Sequence, residues 1–403
     1  MLKKKSKKNV IAAAAFAAVL GLVLITRMVH SPQPEFIIGA GAVSAGIMDG
    51  SGMQRFDYGI NKDVLGILGR KGVTHYEAGI KLSLMGRENF KSVLKNFILG
   101  RENGLIPCVA LYLNNKDHAV TDQAHSRPLK LYSSVEKAFE TGELTEKLVK
   151  DFKSAGVKIK LYSINCGCGW GNGEKNVLKI IKAAADSVRE NDPAAKIMLN
   201  FSGWCDTAGY IECLESAEKY GISADYAGLS FYPHDSYEDG TSTPSIKNLI
   251  QCAEVISGQS GFPVIVKGAF DHNFSGGAQS SVSLYPVSET GQRDWLIDLL
   301  AACYESPAIK GFFYRSSGHL PGQGNPSALF SSKGEVLAAA DAFKAFREPV
   351  MNAFEYAEKT VSSSTGACAE SNAFMEQARF LLRDGSVEEA KFKARLAEYK
   401  ASE

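Results

Sequence analysis

Side chains able to do chemistry occur in short clusters rather than in one motif. Asn114, Asn115 and Asp117 form the first, and Asn165-Cys166-Gly167-Cys168-Gly169-Trp170 the second. Then come Ser202, Trp204, Cys205 and Asp206; Tyr232, Pro233, His234 and Asp235; Phe270, Asp271 and His272; and last Ser316 and Ser317. Each cluster follows an apolar run. Rings, amides and carboxylates together suit sugars, because sugar faces stack on aromatic rings and sugar hydroxyls need both donors and acceptors. The same aromatics serve equally well as caps over an apolar core, and composition leaves the two readings even. The glycan-binding candidates are Asn114, Asp117, Asn165, Trp170, Trp204, Tyr232, His234, Asp235 and Asp271. No CxxC pair and no Cys/His cluster has metal-site spacing, so neither metal nor cofactor is expected.

The apolar pattern alternates between two periods. Strand-like runs fall at Phe36–Gly41, Val73–Ile80, Ile106–Leu113, Val157–Ile164, Lys196–Phe201, Tyr226–Phe231, Pro263–Ala269 and Lys310–Arg315. Between them lie amphipathic stretches at 62–70, 88–103, 134–155, 174–190, 208–220, 244–257 and 290–304, with 335–348 after the last run. Gly72, Gly104, Gly156 and Gly221 each end a helical stretch, as helix C-termini favour. Eight such repeats over roughly 315 residues predict a (β/α)8 TIM barrel over 36–349. The rival, an open doubly wound sheet, lacks a GxGxxG after its first strand. In such a barrel chemistry sits at the C-terminal ends of the strands, where the clusters above fall.

Charge narrows the function classes. The 403 residues carry 45 Lys+Arg against 44 Asp+Glu, a formal charge of +1, with 45% hydrophobic residues. That balance argues against phosphate-neutralising nucleic-acid binding and against a disordered chain. Lys3, Lys4, Lys5, Lys7 and Lys8 crowd the start, and without them the rest is mildly acidic. Behind them Val10–Thr26 holds no charge, the pattern of an export signal. The bulky Arg27-Met28-Val29-His30 offers no small-x-small cleavage site, so an uncleaved anchor is expected, with secretion after cleavage as the alternative. The predicted order is a cytoplasmic basic region at 1–9, a signal anchor at 10–27, a linker at 28–35, the barrel outside the cytoplasmic membrane (periplasmic or at the cell surface), and a helical extension at 350–403.

Several segments resemble the endo-β-1,4-galactanases of glycoside hydrolase family 53. They are Phe36-Ile-Ile-Gly39, Asp63-Val-Leu-Gly-Ile-Leu-Gly-Arg-Lys-Gly-Val73, Asp192-Pro193 with Lys196-Ile-Met-Leu199, Gly228-Leu-Ser-Phe-Tyr-Pro233, Pro263-Val-Ile-Val266, Gly291-Gln292 and Ser327-Ala-Leu-Phe330. The resemblance implies a retaining (β/α)8 glycosidase. It also exposes departures. Where the family has its acid/base Glu after strand four, this sequence has Cys166; where the nucleophilic Glu ends strand seven, it has Lys267. An Arg expected on strand two is lost, with Glu77 and Gly79 in the region. Two His positions read Asn114 and Asn200, and a Trp-Glu pair near strand eight reads Arg315-Ser316.

Retaining hydrolysis needs two carboxyl groups about 5–5.5 Å apart. Lysine cannot form the glycosyl ester, and a thiol with a usual pKa of about 8.5 is a poor proton donor to a sugar oxygen. The resemblance therefore implies a pseudo-glycosidase that binds glycan or acts as a scaffold. The alternative is an active endo-glycosidase on β-1,4-galactan using relocated carboxylates among Asp235, Asp271, Asp206 and Glu174. No partner at diagnostic spacing supports Schiff-base chemistry at Lys267 or a nucleophilic Cys166. A disulfide joining Cys166 or Cys168 to Cys205 is a further expectation at the rim. In the tail, helices are expected at 350–361, 369–383 and 387–400. Phe374, Ala378, Leu381 and Leu382 would face Ala390, Phe392 and Leu396, and the charges of 387–400 would form a solvated face. The tail either packs on the barrel or docks a protein partner.

Overall fold

Parallel strands buried on both faces need near-continuous apolar runs, and the eight runs of this sequence supply them. The computed structural model describes residues 36–42, 56–57, 60–61, 63–82, 87–113, 135–165, 174–201, 206–231, 245–269, 285–286, 288–315, 328–331, 333–364, 369–383 and 386–402. The strands are β1 (Ile37–Ala42), β2 (His75–Lys81), β3 (Ile106–Tyr112), β4 (Leu161–Asn165), β5 (Lys196–Phe201), β6 (Tyr226–Phe231), β7 (Val264–Gly268) and β8 (Ile309–Tyr314). They pair in parallel in chain order, and β1 closes on β8 to complete a barrel. Helices α1 (Val64–Arg70), α2 (Arg87–Glu102), α3 (Val135–Ser154), α4 (Glu174–Asn191), α5 (Thr207–Lys219), α6 (Ile246–Ser260) and α7 (Glu289–Glu305) fill the intervals between strands. This is the predicted (β/α)8 barrel.

Local chemistry sets the helix ends. Asp63, Ser245 and Ser288 accept backbone N–H groups at the starts of α1, α6 and α7, supplying partners that the first turn lacks. The four glycines expected to end helices all adopt positive φ, between 70° and 103°. Two expectations need correction. The stretch 335–348 is not one helix: a 3-10 turn at Ala338–Asp341 leads into a short α8 (Ala342–Ala345). A two-residue antiparallel ribbon, Phe56–Asp57 with Ile60–Asn61, lies between β1 and α1 and was not anticipated. The basic start, the apolar run 10–26 and the linker fall outside the described residues. Among the described residues no helix is long and apolar enough to cross a membrane.

The tail forms α9 (Pro349–Ser363), α10 (Ala369–Arg383) and α11 (Val387–Ser402). Their common core is small: Ala353, Ala357, Ala378, Ala390, Ala394 and Ala397 with Phe354 and Met375, flanked by Phe374, Leu381 and Leu382. Phe392, expected in that core, instead faces outward. The charges of α11 are only partly solvated: Glu388 and Glu389 are exposed, whereas Arg395 and Glu398 are buried. Arg293 on α7 donates to both carboxylate oxygens of Glu398, at 3.0 and 2.7 Å. Arg395 reaches Asp298 at 2.6 Å, and the Tyr399 hydroxyl donates to Asp294 at 2.6 Å. Arg293, Asp294, Arg395 and Glu398 are all buried. The buried charges of α11 form a polar seam against α7.

Two predictions follow from these buried groups. Truncating one partner of a buried pair strands the other and costs about 3 kcal/mol. Glu398→Ala should therefore lower the unfolding free energy by about that amount in urea titration, and a loss near zero would refute a buried seam. The second concerns His75 at the foot of β2, whose Nδ1 lies 2.8 Å from the Thr74 hydroxyl. Burial, with the Lys160 charge adding, pushes its pKa down to about 4 from 6.5. Between those values the unfolded chain holds more protons, so this contribution to stability is present above pH 6.5 and is lost as pH falls toward 4. Its full size is about 3 kcal/mol. His75→Gln should flatten that part of the stability–pH curve relative to the parent chain.

Candidate active site

The barrel interior is stratified. At its lower level Cys108, Leu161, Met198, Ile265 and Phe313 form an apolar plug. Alternation along a strand sends every second residue inward, so the next inward positions are the polar Glu77 on β2, Ser163 on β4 and Lys267 on β7. The Lys267 ammonium donates to Glu77 Oε1 at 2.6 Å and to Ser163 Oγ at 2.8 Å. Lys267 is 1% exposed and Glu77 5%. The Lys267 nitrogen also lies 5.7 Å from the centre of the Phe313 ring. Burial pushes the lysine below its usual pKa range; Glu77 opposes that shift and Arg315 adds to it. Burial likewise raises the Cys108 thiol, which makes it a poor nucleophile.

Above this level lie two polar groups that meet at the β3–β4 step, where Tyr112 and Asn165 are register partners. On one side Asn200 (β5) donates to Asn165 Oδ1 at 3.1 Å and to Ser230 Oγ (β6) at 3.3 Å. Asn165 in turn donates to the Leu111 carbonyl at 3.2 Å. Among the described residues the buried Asn200 Oδ1 has no hydrogen-bond donor. Gly228 makes room for this amide: a Cβ there would lie 2.7 Å from Asn200 Oδ1. On the other side Arg315, just past β8, donates to the Tyr112 hydroxyl of β3 at 2.9 Å. Tyr112 is the register partner of Lys81 on β2.

Of the expected glycan-binding and substituted catalytic residues, Asn165 and Lys267 lie among the described residues. Asn165 stands at the mouth as expected. Lys267 is not on an open rim; it is locked below it. Asn114, Asp117, Trp170, Trp204, Tyr232, His234, Asp235 and Asp271 fall outside the described residues, as do Cys166, Cys168 and Cys205 of the expected disulfide. Of the proposed relocated carboxylates, Asp206 is exposed and caps α5, accepting from Gly209 N at 3.0 Å. Glu77 was noted only as a departure on strand two, and its bond to Lys267 was missed. The available signal was a strand-interior acid and a strand-interior lysine, each inward by parity. Among the described residues no cluster of His, Cys, Asp or Glu could hold a metal ion.

As it stands, the described interior offers one carboxylate at this level, and a lysine occupies it. Replacing Lys267 by Met should strand the Glu77 charge and cost about 3–5 kcal/mol. The double change Lys267→Met with Glu77→Leu should recover most of that loss, since an apolar pair of similar volume is close to neutral. Denaturant titration of the three variants decides it. Equal losses in the single and the double variant would show that the pair is not coupled.

Comparison with known proteins agrees with this architecture. Among solved structures, one reported with two fungal β-1,4-galactanases superimposes with a TM-score of 0.64 at 18% identity, covering 76% of this chain and 99% of that one. The Ignisphaera aggregans GH53 catalytic domain gives 0.64 at 20% identity, covering 78% and 98%. Xylanase 10C from Cellvibrio japonicus is more distant, at 0.53 and 15% identity, covering 78% and 67%. Among curated proteins none matches. The profile of glycosyl hydrolase family 53 matches residues 131–380. The match runs through α9 and into α10, past residue 349 where the likeness was expected to stop. Because it spans more than half of the sequence, the chain belongs to glycosyl hydrolase family 53.

Proposed function

We propose that this family 53 barrel binds glycan and has given up retaining hydrolysis. The observation that carries the proposal is the bond between the Lys267 ammonium and Glu77, 2.6 Å long and sealed from solvent. Retention requires a carboxylate free to attack the anomeric carbon and a second carboxyl group to protonate the leaving oxygen. By resemblance, the first position is Lys267 and the second Cys166. A lysine there offers no ester-forming oxygen, and its charge opposes a developing oxocarbenium ion. Glu77 does not replace it, because its Oε1 accepts from Lys267 below the mouth. What the mouth keeps is recognition chemistry: the amides of Asn165 and Asn200 and the Ser230 hydroxyl. Trp170, Trp204 and Tyr232 complete the proposed binding set as stacking platforms.

The proposal includes an address. Val10–Thr26 anchors the chain in the cytoplasmic membrane, the five lysines before it stay inside, and the barrel works outside. A protein partner of residues 350–403 would meet the outward side of the tail, where Phe380, Val387 and Phe392 are exposed.

The test is incubation of the purified chain with β-1,4-galactan. No new reducing ends are expected, even at enzyme concentrations where an active family member degrades the polymer completely. Reducing ends that vanish on substituting Asp235 or Asp271 would overturn the proposal in favour of relocated carboxylates.

A further inference from the structure

Helix α7 receives the chain from the mouth. β7 ends there at Gly268 and α7 starts back down at Glu289, so the connection between them enters α7 through Tyr285 and Pro286. By sequence this connection carries Asp271, one of the proposed glycan-binding residues. Its end is held at two points. The Pro286 carbonyl seats against Gly291, where no Cβ would fit. The Tyr285 hydroxyl donates to Asp298 Oδ2 on α7 at 2.7 Å. Among the described residues, the cations on that carboxylate both come from α11. Arg395 donates to its two oxygens at 2.6 and 3.1 Å, and Lys391 donates at 3.4 Å. The Arg395 guanidinium also lies 5.9 Å from the centre of the Tyr285 ring, so it faces both members of the bond. Burial, with Asp298 adding, pushes the Tyr285 phenol up, so it keeps its proton and remains the donor. Burial also raises the Asp298 carboxyl, but Arg395, Lys391 and Tyr285 outweigh it and hold the group below its usual range as an acceptor.

We infer that α11 is a positioning element of the glycan site: through Arg395 and Asp298 it holds Tyr285, and with it the end of the connection that carries Asp271. The inference rests on the glycan-binding reading above. A segment that meets a ligand binds more tightly when it is held beforehand, because ordering it on binding costs affinity. The hold here is directional. A guanidinium that takes both oxygens of a carboxylate fixes the plane of that carboxylate, and so the direction in which the phenol must approach. The Tyr285 bond is a charge-assisted one in a partly buried place, where such bonds are stronger than in water. Arg395 works through Asp298 and Tyr285, so it is a positioning residue and not a ligand-contacting one. The tail thereby acquires a part in recognition that neither its alanine core nor its exposed side supplies.

The experiment compares the full-length chain with Tyr285→Phe, Arg395→Gln, Arg395→Lys and Met375→Ala. The last removes a buried side chain from the tail's own core and no member of the seam. Each is titrated calorimetrically with a β-1,4-galactose tetramer at a temperature where all are folded, and amide hydrogen exchange is followed at Tyr285 and Ser288–Gln292. Tyr285→Phe and Arg395→Gln should weaken tetramer binding about fivefold or more and speed that exchange by about tenfold. Arg395→Lys, which keeps a charge opposite Asp298, should recover part of both. Met375→Ala should lose stability yet change neither by more than about twofold. Tyr285→Phe removes a single hydroxyl, and it is the decisive variant if Arg395→Gln fails to fold. Parent-like behaviour of Tyr285→Phe in both measurements overturns the inference. So does a Met375→Ala that matches it, since the effect would then be general loosening. Faster exchange with unchanged affinity overturns the positioning role and leaves glycan binding standing. A parent chain that binds no tetramer overturns the glycan-binding reading, and the exchange rates then still confirm or overturn the hold on Tyr285.

Discussion

A closed parallel barrel has little water inside it, so every polar side chain sent inward must find a partner across the axis. The Lys267–Glu77–Ser163 contact is the answer this chain gives, and much of the interior is arranged around it. It ties β7 to β2 and β4, strands far apart in sequence. Below it the packing is apolar, and Phe313 lies against the lysine. That ring fits only because β1 offers Gly39: a Cβ there would stand 2.1 Å from Phe313 Cδ1. Small residues on β1 and long ones on the facing strands are one design, since the volume omitted at Gly39 and Gly41 is taken by Phe313 and approached by Glu77.

The same requirement governs the outside of the barrel, where helix α7 carries Arg293, Asp294 and Asp298 on its outer side. On a barrel without α11 these would be ordinary solvated charges. With α11 laid over them Arg293 and Asp294 are buried and Asp298 is partly buried, and each has an opposite charge or a hydroxyl as partner. Arg293 also stacks on the Tyr356 ring of α9, 3.8 Å from its centroid. Apolar packing within the tail relies mostly on alanine, whose burial contributes little each. The polar seam therefore has a second effect: it fixes where the tail sits, because charged groups tolerate few alternative registers.

How much of this was legible in the sequence depends on the range of the physics involved. Strands and helices are written in local periodicity, and all eight strands and the seven helices between them are legible that way. Gly72, Gly104, Gly156 and Gly221 were readable because a left-handed residue at a helix end is a local demand. Errors came where partners are distant. Glu77 and Lys267 are 190 positions apart, and nothing in either neighbourhood announces the other. Alternating charges on 387–400 looked solvated because the opposing charges sit on α7, about a hundred positions earlier. The stretch 335–348 has helical composition, yet it forms a 3-10 turn and a four-residue helix rather than one helix. At the mouth, Asn165 was found because it ends a strand. Asn200 was noted only as a departure, since its part in the site comes from the neighbouring strands β4 and β6.

These two polar systems meet on α7. Gln292, beside Arg293, donates to the Tyr314 hydroxyl at 2.7 Å from the outside of β8. The next residue, Arg315, turns inward and reaches Tyr112, while its own backbone N–H donates to the Gly268 carbonyl at 2.9 Å, one position beyond Lys267. Hydrogen bonds and ion pairs, joined through the backbone at Gln292–Arg293 and Tyr314–Arg315, thus run from Glu398 in the tail, through α7 and β8, to the mouth. Contiguity by itself transmits nothing; it needs an element with two arrangements. Beside this path the packing is tight: Gly291 lies so close to Pro286 that a Cβ would fall 1.8 Å from its carbonyl oxygen. The path is therefore better understood as bracing than as signalling. Arg315 keeps its place at the mouth only if the strand beneath it is fixed, and here the tail contributes to that fixing from the far side of the wall.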